Sequence, residues 1–160
     1  MLAGLMGDME QEPMRDTESI VRRSVAILVG ECQALGMIAV VRSLGRAGYI
    51  VHAGSNDHNA IGFHSSFCSV GVCHPPYADA AFLPWLQDYI QRNRIEAIIP
   101  SEAFLHAIRS DFETYRALIP DPTSVPIWDV CLSKVATQRL LSEFGANGQH
   151  LPPGGIITSA

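Results

Sequence analysis

The feature that most constrains this chain is the order in which two kinds of apolar pattern alternate. SVAILVG, from Ser24, is a short β-branched run that ends in glycine, as a strand buried on both faces of a parallel sheet requires. ALGMIAVVRSLGRAG follows, placing Leu35, Ile38, Val41 and Leu44 at helical spacing with Gly48 as a stop. YIVHAGS then reads as a second strand, so residues 24 to 55 predict a strand, helix, strand unit with parallel strands.

The alternation continues. SNDHNAIGFHSSFC is rich in small polar residues and reads as a loop, and SVGVC after it as a third strand stopped by Pro75-Pro76. Phe82, Trp85, Leu86, Tyr89 and Ile90 define the buried face of a further helix. Pro84 requires that helix to begin near Leu83 or to bend there. IEAIIP predicts a fourth strand buried on both faces, and SEAFLHAIRSDFETYRAL one helix with Phe104, Leu105, Ile108, Phe112 and Tyr115 inward. The fold class expected is α/β, a Rossmann-like three-layer domain with a mostly parallel sheet.

Composition narrows the function classes. At 160 residues, 48% hydrophobic and 17% charged, the chain has enough apolar material for one core without disulfide or metal staples. A net charge of −5 without clustered Lys and Arg argues against nucleic acid as a partner. No run approaches the ~18 apolar residues that span a bilayer, so no membrane partner is expected. The four cysteines form no CxxC pair, which fits free thiols in a reducing cytoplasm, and Cys73-His74 meets Pro75-Pro76 rather than a second ligand pair, so no metal site is expected. Residues 1–22 are mixed in charge and lack periodicity, and read as a flexible tail.

In a doubly wound sheet the ligand crevice lies beyond the carboxyl ends of the strands. Those ends carry Glu31, Ser55, Asp57, Ser101 and Glu102. Each also has an ordinary local use: Ser55 and Asp57 form turns, Ser101 caps a helix, and Glu102 suits a first helical turn. The first turn, GECQALG, lacks the GxGxxG dinucleotide fingerprint; no GxxxxGK[ST] phosphate loop and no GxSxG nucleophile elbow are present.

Lys134, in CLSKVATQRL, is the only lysine beside ten arginines. A compact ammonium meets phosphate as a point charge, whereas a guanidinium demands two-pronged geometry. A general preference for arginine explains the same count.

With these residues in place, the stretch from about Ser24 to Pro153 resembles the N-terminal, pre-ATP-grasp domain of ATP-grasp carboxylate-amine ligases, the group that includes the large subunit of carbamoyl phosphate synthase and biotin carboxylase. LGMIAVVRSLGRAGYIVHAGS, SSFCSVGVCHPP, FLPWLQDYIQRNRIEAIIPSEA, PDPTSVPIWDVCLSK and ATQRLLSEFGANGQHLPP carry the likeness through their order. The family opens a helix with an aspartate-lysine pair, followed by a leucine pair, a glycine and prolines. Here these are Ser133-Lys134, Leu140-Leu141, Gly145 and Pro152-Pro153, with serine replacing aspartate.

The resemblance implies that Lys134 contacts ATP phosphate and that Glu31, Ser55, Asp57, Ser101 and Glu102 face the substrates, a small-molecule carboxylate and an amine. It implies a tail over 1–22, the pre-ATP-grasp domain over 23–122, and over 123–160 a helical connector into lobes that lie beyond GGIITSA. ATP and Mg²⁺ are then cofactors of a longer parent enzyme, and neither is expected to bind the 160-residue chain tightly. Two competing readings are a non-enzymatic Rossmann-like module that binds a small ligand or forms a homodimer, and an NAD or nucleotide-sugar binder on the same sheet.

Overall fold

The structure, a computed structural model, describes residues 24–120 and 124–143. The expected tail, residues 121–123, Gly145, Pro152-Pro153 and the GGIITSA ending lie outside the described residues. The chain divides into two compact units between Pro120 and Asp121.

In the first unit, β1 (Ala26–Val29), β2 (Ile50–Ser55), β3 (Val70–Cys73) and β4 (Ile95–Ile99) form one sheet in the order β3-β2-β1-β4, with every pairing parallel. This is the strand order at the start of a Rossmann-like sheet. Helices cover both faces. Ile27, Val29, Val51 and Ala53 turn one face toward α1 (Leu35–Arg46), where Val41, Met37 and Leu44 meet them. His52, on the opposite face, reaches Tyr89 of α2 (Phe82–Asn93).

Pro84 falls in the first turn of α2, where backbone N–H groups have no partner within the helix, so the proline removes no hydrogen bond there. The helix ends on Arg94, in the left-handed conformation, whose N–H donates to the Ile90 carbonyl before β4 begins.

Two sequence expectations are corrected and a third is qualified. Leu35, the first residue of α1, is 80% exposed, while Ile38 and Val41 of the same stripe are buried. β4 is an edge strand of this sheet, and the expected burial on both faces is interrupted only at Glu96, exposed where the pairing to β1 shifts register: Ile98 is buried on one face while Ala97 and Ile99 pack on the core of the other. The single helix expected from Glu102 is broken into α3 (Glu102–Ala107), a 3₁₀ turn at Arg109–Asp111, α4 (Phe112–Tyr115) and a second 3₁₀ turn at Arg116–Leu118. At the first break the Asp111 N–H bonds back three residues to Ile108 rather than four, and the Ser110 hydroxyl donates to the Asp111 carboxylate. Phe104, Ile108, Phe112 and Tyr115 are nevertheless all buried.

The second unit holds α5 (Val125–Leu132), with Pro126 in its first turn and Trp128 buried, and α6 (Lys134–Glu143). Thr137 ties the two by donating its hydroxyl to the Val130 carbonyl at 2.6 Å.

Candidate functional site

The winding of the sheet reverses beside β1. The chain passes from β1 outward to β2 and β3, then returns to place β4 on the other flank. At such a point the connections after the two neighbouring strands run to opposite sides and leave a crevice at the carboxyl edge. Gly30, just after β1, donates its N–H to the Ile99 carbonyl at 3.1 Å and bridges to the end of β4. Glu31 follows with a φ of 50°, a conformation that costs a residue with a side chain about 1–2 kcal/mol.

Against this edge stand His74, one residue past β3, and Tyr77. The ring centroids of His74 and Tyr77 are 4.9 Å apart, and Phe82 and Trp85 of α2 pack on His74 at 5.4 and 5.3 Å. Tyr77 continues to Phe104 at 6.0 Å. Its hydroxyl lies so close to the backbone that a Cβ at position 30 would come within 3.2 Å of it. This hydroxyl is buried beside the Ser101 side chain and the Glu31 backbone, yet makes no hydrogen bond of proper geometry to either.

Electrostatics define the protonation states. Burial pushes the Tyr77 phenol up to about 12, and the nearby Glu31 carboxylate adds to this, so the group is a neutral hydroxyl. Burial holds His74 below the usual imidazole value of 6.5, opposed by its bond to Pro75 and by the Glu31 charge. The Pro75 carbonyl can only accept, so the proton sits on Nδ1, 2.8 Å away, and Nε2 of the neutral ring is an acceptor.

The residues expected at the strand ends are placed as follows. Ser55 is fully buried: its hydroxyl donates to Gln33 Oε1 at 2.7 Å and accepts the Asp57 N–H at 3.0 Å. Asp57 is exposed and accepts the Asn59 N–H at 2.9 Å, holding the turn after β2. Ser101 caps α3 by accepting the Phe104 N–H at 3.1 Å. Glu102 is exposed and lies 3.9 Å from His106 on the same helix. The partners of Asp57, Ser101 and Glu102 are therefore local, Ser55 ties the end of β2 to Gln33 after β1, and Glu31 is the acid that joins the His74 and Tyr77 cluster. In the sequence His74 stands out only as a candidate metal ligand beside Cys73, and Tyr77 does not stand out, although CHPPY sits at the carboxyl end of β3 just as the other candidates sit at theirs.

In the second unit, Ser133 caps α6 as its position predicts, accepting the Ala136 N–H at 3.2 Å. Lys134 is the first residue of α6 and is exposed.

Among the described residues no group of three or more His, Cys, Asp or Glu side chains could hold a metal ion, and no helix is long and apolar enough to cross a membrane. The chain matches no protein-family model and no curated protein.

Proposed function

We propose that this chain is the substrate-side α/β domain of a cytoplasmic ATP-dependent ligase that joins a small-molecule carboxylate to an amine through an acylphosphate. The observation that carries the reading is a parallel sheet whose winding reverses beside β1, followed in the chain by a helical unit whose exposed Lys134 opens a serine-capped helix. The strand ends supply the substrate side, and Lys134 supplies one point charge toward ATP phosphate. ATP and Mg²⁺, when bound, provide the phosphoryl group and spread its charge. No Mg²⁺ ligand is assigned among the described residues.

The test is ATP affinity in the intact protein. Lys134→Ala weakens it by about tenfold or more, the scale of a lost charge-assisted contact, while leaving the fold intact. Unchanged affinity returns Lys134 to solvated surface and removes the ligase reading's nucleotide contact.

A second reading, a non-enzymatic small-ligand module, is favoured by the position of Glu31, His74 and Tyr77 wholly within the first unit. It requires ligand binding that neither Lys134 nor nucleotide influences.

A further inference from the structure

We propose that Glu31 and His74 form a binding site for a primary amine at the carboxyl edge of the sheet. The site deepens the ligase reading by assigning the amine substrate a place, and rests on that reading for the amine's role in catalysis.

The argument begins with charge. The segments that follow the four strands, residues 30–34, 55–60, 73–77 and 100–103, contain Glu31, Asp57 and Glu102 and no lysine or arginine. Such an edge draws cations. Acidic residues alone select nothing, so the buried groups decide. His74 is 6% exposed, and its Nδ1–H is committed to the Pro75 carbonyl. Nε2 is left as a lone-pair acceptor to which no described residue donates.

Position comes next. Tyr77 packs on His74 with the ring planes tilted by 34°, and its hydroxyl reaches the backbone at Gly30, the residue before Glu31. His74 Cδ2 would lie 3.6 Å from a Cβ on Gly54, so the ring edge bearing Nε2 is held over the end of β2. Glu31 directly follows Gly30, so its backbone stands beside the Tyr77 hydroxyl, and its charge acts on both rings.

A carboxylate and an imidazole lone pair are two acceptors without a donor. Their complement is a cation with at least two N–H groups. A primary ammonium has three and can bond both acceptors at once, whereas a quaternary ammonium has the charge and none of the donors.

The experiment titrates the whole chain, without nucleotide, with methylammonium and follows the histidine ring nitrogens by NMR at constant ionic strength. Methylammonium shifts the His74 Nε2 resonance saturably and leaves His52 unchanged; tetramethylammonium does neither. Glu31→Gln, confirmed as folded by circular dichroism, weakens the response by about tenfold or more. Absence of a saturable His74 shift, an equal shift with tetramethylammonium, or undiminished binding in Glu31→Gln overturns the proposal. If Glu31→Gln does not fold, the comparison of the two ammonium ions decides alone. A negative result here leaves the Lys134 test of the ligase reading standing, and failure of that test leaves amine binding standing.

Discussion

The Tyr89 hydroxyl lies 2.7 Å from Nδ1 of His52 and joins α2 to the middle of β2 across the sheet face. Tyr89→Phe removes this bond and leaves a buried imidazole nitrogen unpaired, at a cost of about 1–3 kcal/mol. Tyr77→Phe removes a hydroxyl that has no partner, so stability is unchanged or slightly higher. Urea unfolding of the two variants checks the contrast, and an equal loss in both contradicts it.

Acid weakens the fold through its two buried imidazoles. Burial is the first cause that lowers both His52 and His74 from 6.5, so the folded chain keeps them neutral while the unfolded chain takes up protons. Below 6.5 the unfolded state binds more protons, and stability falls with pH until the folded values are reached; above that window these groups contribute no pH dependence. NMR titration of the two rings gives midpoints below 6.5, and chemical unfolding followed across the same range shows the loss.

Two glycines in α1 respond oppositely to alanine. At Gly45 a Cβ would stand 2.5 Å from the Phe67 carbonyl oxygen, a backbone clash that costs about 1–3 kcal/mol and exceeds the gain in helix propensity. At Gly36 nothing lies within 4 Å, and Gly36→Ala stabilises by about 0.5–1 kcal/mol. Thermal unfolding of both variants measures the two signs, and stabilisation at Gly45 refutes the close approach of helix and loop.

Much of the first unit is legible in local pattern. SVAILVG, YIVHAGS, SVGVC and IEAIIP contain the observed strands, and the helical spacing around Val41 and Leu86 marks α1 and α2. Pro84 leaves a start near Leu83 or a bend as alternatives, and the helix starts at Phe82, which puts the proline in the first turn where a missing N–H costs no helical bond. The segment after Glu102 was harder: Phe104, Ile108, Phe112 and Tyr115 recur at nearly helical spacing whether the backbone is one helix or several short pieces, so burial was readable and continuity was not.

The candidate site divides the same way. Ser101 caps a helix and Ser55 accepts the Asp57 N–H of its own turn, roles that residues a few positions away are enough to foresee, whereas the bond from Ser55 to Gln33 joins two strand ends and is not local. His74 and Tyr77 sit more than forty residues from Glu31 and depend on the parallel register of three strands to meet it.

Alternating patterns by themselves determined an α/β domain with parallel strands, because a strand's and a helix's apolar periods are properties of the local chain. Which strand became the edge, which acid gained buried neighbours, and where a histidine lost its water were decided only by the tertiary structure. Those outcomes depend on strand order and on desolvation by distant side chains, and neither is encoded in any short stretch.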